Sequence, residues 1–416
     1  MDFALPVELT QRLAELDGFI EREIRPLQEQ DDNERFFDHR REYSRTDFEN
    51  GGVPRREWEE LLGEMFRRAD AAGWLRYALP EEIGGSDGTN LDMAVIREHL
   101  AHKGLGLHND LQNEHSVVGN NVGLLLMLEY GTPEQKAEWV DDLALGRRGF
   151  AFGLTEPDHG SDATHMETHA ERDGDEWVIN GEKTFITGGN DADFVMVFAV
   201  TDKDKGADGG VTCFLADRDM GWKSEHIDTM GEWGPASLIF DNVRVPHENM
   251  LGEEGQGFAL AMRWIGRGRY LLPARALGGC ERLVEMGMEH ARNRQTFGQP
   301  IAERQAIQWM VADSVAELEA ARYATLLAAW TADQDDGTQI ATSAIAKLKV
   351  ARYANDIADR ALQIHGGMGY SQELPIQLWA RDLRVLRIYE GSDEIQRRTL
   401  ANQVFTGRYR LGGHLA

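Results

Sequence analysis

The sequence predicts a mainly helical protein with a central β-domain: an N-terminal helical domain over 1–148, a middle β-barrel-like or sandwich domain over 149–252, and a C-terminal four-helix bundle over 253–416. Three observations predict this. Apolar residues in the first third recur at helical spacing, short β-prone runs separated by Gly- and Asp-rich connections fill the middle, and long alanine-rich stretches occupy the remainder.

In the first segment Leu13, Leu16, Ile20, Ile24 and Leu27 fall at spacings of three and four, one face of a helix. "MAVIREHLAHKGL" and "NVGLLLMLEYGT" continue in the same style, the second closing on Gly131 as a helix stop. Between them and the first helix, residues 31–57 are highly charged and poor in aliphatics, which predicts a solvated insertion or mobile loop. In the middle segment "EWVINGEKTFIT" reads as two strands joined by Asn180-Gly181, a dipeptide favoured in type I′ hairpins. Further strands are predicted at 194–200, 211–216 and 237–245. Three long helical stretches follow, the last ending on Gly366-Gly367, and they suit an antiparallel bundle.

Composition narrows the function classes. The 416-residue chain carries a net charge of -27, which argues against binding a phosphate backbone, since that is driven by Lys and Arg. No stretch approaches the roughly 20 apolar residues of a membrane-spanning helix, and the first residues resemble neither a secretory signal nor a transit peptide, so a cytoplasmic location is expected. The two cysteines, Cys213 and Cys280, lie in apolar segments and read as reduced, buried small hydrophobes. His99, His102, His108 and His115 cluster in sequence, as do His159, His165 and His169, but without HExxH or paired-cysteine spacing no metal centre is expected.

Several stretches carry chemistry that the residues alone leave open. "FGLTEPDHGSD" (152–162) is either a polar turn or a loop that aims N–H and O–H groups at a ligand. "TFITGG" places Phe185 two residues before Thr187 on one strand face, which suits stacking on a flat ring or simple core packing. "RNRQTFGQP" and "QIHGGMGY" are glycine-punctuated helix ends that either bind a phosphate or adenine or only stop a helix. In "RIYEGSDEIQRR" (387–398), Glu390 stands between Tyr389 and Gly391 at a predicted helix start, where an acid ordinarily complements the exposed N–H groups.

Taken together, "GLTEPDHGSD", "FITGG", "RQTFGQPIAERQAIQ", "QIHGGMGY" and "IYEGSDEIQR" resemble, in order and spacing, five motifs of the acyl-CoA dehydrogenase family, over essentially the whole chain. The resemblance implies FAD as cofactor, an acyl-CoA substrate, an electron-transfer flavoprotein as acceptor, and a homodimer or homotetramer. It places Phe152, Leu154, Thr155, Gly160 and Ser161 against the flavin ring and pyrophosphate, with Ser161 also near substrate, and Phe185, Ile186 and Thr187 beside the ring. Arg294, Thr296 and Gln305 match residues that reach the adenine-diphosphate end, often across a subunit interface. Gln363, Gly366 and Gly367 match a second glycine-rich contact, and Ser392 and Glu394 match positions that hold the cofactor's tail. Glu390 falls on the catalytic base, while Gly266, Gly268 and Arg269 fall on the helix lining the thioester site. His159 and His165 stand where the family has small residues, and Leu378 where a basic residue is typical.

The implied reaction removes a proton from the α-carbon of the thioester and a hydride from the β-carbon. A desolvated pocket strengthens the carboxylate as a base, and hydrogen bonds to the thioester oxygen stabilise the enolate. Gly391 would free the backbone so that the carboxylate and N–H of Glu390 both face the thioester, and Tyr389 would exclude water. The resemblance leaves an acyl-CoA oxidase, an alkylation-response relative and a non-catalytic flavoprotein as rivals. The -27 charge disfavours the second and the intact "YEG" the third. Glu114 and His115, in a stretch aligned with the floor of the family's acyl tunnel, are unexpected neighbours for a plain alkyl tail, unless they face solvent or pair with each other.

Overall fold

The computed structural model describes residues 4–41, 43–110, 115–119, 122–231, 234–334 and 336–412. The chain divides into two compact units, one of residues 1–42, 68–120 and 266–416, the other of residues 43–67 and 121–265.

The second unit is built on an eight-stranded sheet. Its order is Met250–Leu251, Val211–Asp217, Phe194–Val200, His169–Asp173, Glu176–Ile186, Ala236–Pro246 and Lys223–His226, with Phe150–Gly153 pairing parallel to Phe194–Val200. Phe194–Val200 and Val211–Asp217 are buried along nearly their whole length, as their continuous apolar sequence requires. Glu176–Ile186 presents Trp177, Ile179 and Ile186 to a core shared with Val195, Val197, Phe214, Leu238 and Val245. The helices Val122–Tyr130 and Pro133–Ala144 belong to this unit, the second opened by a capping box on Thr132 and Gln135.

One expectation fails here. Asn180-Gly181 is not a hairpin turn: Glu176–Ile186 is a single strand, with a register shift between Ile179 and Gly181. The reversal lies at Gly174-Asp175, between His169–Asp173 and Glu176–Ile186. A Cβ at Gly181 would meet the Cα of Thr168 at 2.6 Å, so the glycine serves a close backbone approach, while Asn180 Oδ1 accepts the N–H of Asn242 at 2.8 Å. Residues 31–57 are likewise more ordered than a solvated insertion. Phe36, Arg45 and Thr46 are buried, Thr46–Asp47 pairs antiparallel with Val53–Pro54, and the Arg45 guanidinium lies 4.4 Å from the Trp58 ring centroid.

The first unit is helical. The opening helix, Val7–Phe19, continues through a π-helical turn to Glu29. Gln305–Gln334 and Gln339–His365 pack as a pair, and Ile376–Arg384 and Asp393–Phe405 lie against the second of them. Their core joins Leu277, Cys280 and Leu283 to Ala321, Val350, Ala354, Ile357, Ala361, Trp379 and Leu383. The alanines on the facing stripes allow close approach of the helix axes. Leu378, 2% exposed, belongs to this core. Both cysteines are free and buried.

Candidate active site

Glu390 is not at a helix start. The helix Asp393–Phe405 is capped by Ser392, whose side chain accepts the N–H of Ile395, so Asp393 and Glu394 occupy the first turn. Glu390 instead sits two residues outside the cap with φ +51, followed by Gly391 at φ +86. A glutamate with a left-handed backbone is costly and persists where its surroundings hold it there. Three groups do so. Gln396, fully buried, donates from Nε2 to the carbonyls of Glu390 at 3.0 Å and Gly391 at 3.1 Å. Lys347, also fully buried, donates from Nζ to the Gly391 carbonyl at 2.6 Å. A Cβ at Gly391 would lie 2.7 Å from the Gln396 amide nitrogen, so only glycine fits there.

This backbone directs the carboxyl group inward. Glu390 as a residue is half-buried, but Oε2 is sealed from solvent and has no hydrogen-bond partner among the described residues. Burial pushes the carboxyl above the usual glutamate range, against the pull of Arg269, Arg275 and Lys347. The result is a desolvated carboxylate with an open lone pair, the state a carbon acid requires of its base. Gly268 stands directly beside it: a Cβ there would be 2.6 Å from Oε2. Gly266 faces open space. Arg269 is partly buried with its Nε unpartnered among the described residues, and burial lowers its pKa despite Glu390. Tyr389 Oη accepts from Arg275 Nη2 at 3.0 Å.

The cofactor-type residues of the second unit are fastened by a buried ion pair that sequence reasoning missed. Lys183 Nζ donates to Glu156 Oε1 at 2.7 Å and to the Leu154 carbonyl at 3.1 Å, and Glu156 also accepts the N–H groups of Glu167 and Thr168. Burial works to raise the Glu156 pKa, but Lys183 and these N–H groups outweigh it and hold the carboxylate below its usual range. The Thr184 N–H closes on the Thr155 carbonyl at 2.8 Å. These contacts tie the loop after Phe152 to the end of Glu176–Ile186. Phe152 packs between Phe198 and Trp264, the latter stacked at 4.6 Å between centroids, while Leu154 and Ile186 are buried. Phe185, Thr187, Gly160 and Ser161 remain exposed, and Thr155 is half-buried.

Phe185 is 62% exposed at φ +56, a strained backbone presenting an aromatic ring to the outside. The strand ends at Ile186, so Thr187 begins the following turn and does not share a strand face with Phe185. The exposed Phe185 ring, the hydroxyls of Thr155, Ser161 and Thr187 and the open space at Gly160 have the chemistry that suits a flat heteroaromatic bearing carbonyls and a diphosphate.

In the first unit Arg294, Thr296 and Gln305 flank a tight hairpin, Gln295–Thr296 against Gln299–Pro300, turned by Phe297 and Gly298 at positive φ. Ile301 just after it shares a small core with Ile364, beside Gln363 and the Gly366-Gly367 helix stop. Arg294, Gln305, Gln363, Gly366, Gly367 and Glu394 are exposed and Thr296 is half-buried.

The histidines pair locally. His99 bonds Asp17 at 2.7 Å, and His165 bonds Asp162 at 2.8 Å. His159 lies 3.6 Å from Glu167. His115 does not face solvent: it is buried, bonding the Gly106 carbonyl at 2.9 Å, with Nδ1 3.2 Å from Asp110 Oδ2. Glu114 lies outside the described residues. His102, Glu281 and Glu285 bring possible ligand atoms within 4.8 Å of one another, but Glu281 already holds Arg322 at 2.6 Å.

Comparison with known proteins places this geometry. Three family models match in order: the acyl-CoA dehydrogenase N-terminal domain over residues 30–147, the middle domain over 151–243 and the C-terminal domain over 255–405. A short-chain specific acyl-CoA dehydrogenase of Clostridium acetobutylicum is 33% identical over 355 residues, 84% of this chain and 91% of that protein. Among solved structures, butyryl-CoA dehydrogenase from Megasphaera elsdenii superposes with a TM-score of 0.80 at 31% identity, covering 97% of this chain and 100% of the other. An FAD complex of PigA gives 0.82 at 25% identity, covering 97% and 99%. With all three family segments matched in sequence and fold, the chain belongs to the acyl-CoA dehydrogenase family.

Proposed function

We infer that this protein catalyses the FAD-dependent α,β-dehydrogenation of an acyl-CoA thioester to the 2-enoyl-CoA, with Glu390 as the base that removes the α-proton. The observation that carries the assignment is Oε2 of Glu390, sealed from solvent and unpartnered among the described residues, on a residue held at φ +51 beside a glycine. Burial withholds water from the carboxylate, so its affinity for the substrate α-proton rises. Lys347 and Gln396 fix the peptide on either side, which keeps the base aimed while it takes the proton. The Glu390 N–H is the residue's own donor for the thioester oxygen as negative charge develops there. Tyr389, tethered by Arg275, covers the base from water. FAD supplies the hydride acceptor for the β-carbon, which no side chain can be. Phe152, Leu154, Thr155, Gly160, Ser161, Phe185, Ile186 and Thr187 would hold its ring and pyrophosphate. Arg294, Thr296, Gln305, Gln363, Gly366, Gly367, Ser392 and Glu394 would hold the adenine-diphosphate arm.

The exposure of Arg294 and Gln305 suits a role completed by a second subunit, so the active form is a homodimer or homotetramer. An electron-transfer flavoprotein is the electron acceptor, and the enzyme works in the cytoplasm as three domains over 1–148, 149–252 and 253–416. Among the described residues no helix is long and apolar enough to cross a membrane.

Anaerobic titration of the yellow holoenzyme with acyl-CoA thioesters tests the reaction. Bleaching of the flavin with stoichiometric enoyl-CoA is expected, followed by fast reoxidation by electron-transfer flavoprotein and little peroxide in air. A flavin that no acyl-CoA bleaches would remove the catalytic assignment.

A further inference from the structure

Behind Tyr389 lies a buried basic cluster that the dehydrogenation chemistry does not use. Arg97 belongs to the buried face of helix Asn90–His102, among Met93, Ala94, Ile96, Leu100 and Ala101, and is 1% exposed. Its Nη2 donates to the Val118 carbonyl at 2.7 Å, while Nε and Nη1 are sealed from solvent with no partner among the described residues. A guanidinium has five donors, and leaving them unmet in a dry interior is costly.

The surroundings increase that cost. Arg275, 4% exposed, is close enough to repel Arg97 electrostatically, and among the described residues only Asp110 offsets that repulsion. Asp110 is itself shared with His115, whose Nδ1 lies 3.2 Å away. Buried His108, its pKa pulled down to about 4 by burial and then by His115 and Lys103, stays neutral and adds no negative charge. Among the described residues Arg97 is therefore opposed by one partly committed carboxylate, while Arg275 finds its electrostatic partner in Glu390. Buried charge without a counterion is normally selected away unless something else neutralises it.

The cluster adjoins the reaction centre through Arg275. That residue donates to Tyr389 Oη and acts electrostatically on both Glu390 and Arg97. Arg275 therefore stands within electrostatic reach of both the base and Arg97. An anion seated on Arg97 and Arg275 would be separated from the reacting α-carbon by an intervening chain.

We propose that Arg97 and Arg275 form a carboxylate-binding subsite for the far end of the acyl group, so that the preferred substrate is an acyl-CoA carrying a second carboxylate on its acyl chain. The inference rests on the acyl-CoA dehydrogenase reading given above. An alkyl tail would leave the free N–H groups of Arg97 unmet. A carboxylate would meet them with charge-assisted bonds and neutralise the cluster.

The test compares adipyl-CoA with hexanoyl-CoA, and glutaryl-CoA with valeryl-CoA, as anaerobic reductants of the holoenzyme. The dicarboxylic thioester is expected to be favoured by about 10²-fold in kcat/KM, from the size of charged hydrogen bonds. In Arg97→Met the ratio should collapse toward unity, chiefly through KM, while Arg97→Lys should retain part of it. Should Arg97→Met fail to fold, the wild-type ratio together with Arg97→Lys decides the matter. A wild-type enzyme bleached faster by the monocarboxylic thioesters overturns the subsite while leaving the dehydrogenase reading intact. An Arg97→Met variant that loses both substrates equally also overturns it. Absence of bleaching by all four would sink the parent reading and the subsite with it.

Discussion

The backbone of Gly268 lies against the carboxyl group of Glu390: a Cβ at 268 would be 2.6 Å from Oε2, 2.7 Å from Oε1 and 2.9 Å from Cδ. Real Cβ atoms do not approach that closely, so any side chain at 268 must displace the carboxylate. Gly268 therefore makes room for the base itself, and it is Gly266, facing open space, that leaves the wider gap. Gly268→Ala should stabilise the helix by up to about 1 kcal/mol and yet slow flavin bleaching by about 10²-fold. Thermal unfolding and stopped-flow bleaching on one preparation separate the two effects. Unchanged bleaching would show that the carboxylate can move without cost.

Glu390→Gln keeps shape and FAD but cannot accept the α-proton, so bleaching should fall by several orders of magnitude. Stability gives an independent readout. The folded carboxyl has its pKa raised above 4.5 by burial, so its contribution to stability is full below that value and is lost as pH rises through the folded pKa. Glu390→Gln should therefore melt higher than wild type at neutral pH, with the gain vanishing below about pH 4.5. A glutamate introduced at 268 in a Glu390→Gly background should recover part of the bleaching, because the two positions share one space. No recovery, with FAD bound, would mean that the angle of approach matters as well as the location.

Much of this site was legible because its motifs are local in sequence. Glu390 with Tyr389 and Gly391, and the loop from Phe152 to Ser161, each lie within one short stretch of residues. Most of the residues that hold them were not legible, since Lys347, Arg275 and Lys183 are distant in sequence from what they hold and sit inside regular elements, while Gln396, six residues after Glu390, lies within the motif but reads as an ordinary helix residue. A signal existed for Lys347: it falls on a stripe with Ser343, Val350, Ala351 and Ala354 that is otherwise small or apolar. A lysine on such a stripe needs a buried acceptor, and the Gly391 carbonyl is that acceptor. Asn180-Gly181 misled because Asp173-Gly174 offers the same turn chemistry seven residues earlier. Only the pairing of the strands decides between them.

Lys347 also tempers the basicity of Glu390, after burial, Arg269 and Arg275. Burial pushes its own pKa down to about 8, and its charge lowers that of Glu390. Lys347→Met removes that charge, so the Glu390 pKa should rise further and the acid limb of the kcat profile should move to higher pH. Gln396→Leu, which removes two hydrogen bonds to the same bend, should lower activity with a smaller movement of that limb. If the two variants shift the profile equally, Lys347 acts only by holding the backbone.

The cofactor loop offers the strongest test of a structural charge. Lys183 and Glu156 are sealed, with side chains 0% and 4% exposed and 2.7 Å between their charged atoms. Removing one partner strands the other. Lys183→Met leaves a buried carboxylate without its cation and should cost about 3–5 kcal/mol. It also releases the Leu154 carbonyl, so the loop from Phe152 to Ser161 loses its tie to the strand carrying Phe185. The purified variant should melt lower and carry less FAD per chain, measured as the ratio of flavin to protein absorbance. Lys183→Met with Glu156→Gln removes the stranded charge and keeps an acceptor for the N–H groups of Glu167 and Thr168. The double variant should therefore recover most of the stability but not the full flavin content, because the Leu154 carbonyl still lacks its donor. Recovery of both would reduce the pair to a neutral packing element, whereas a single variant as stable as wild type would mean that water reaches Glu156 and solvates its charge.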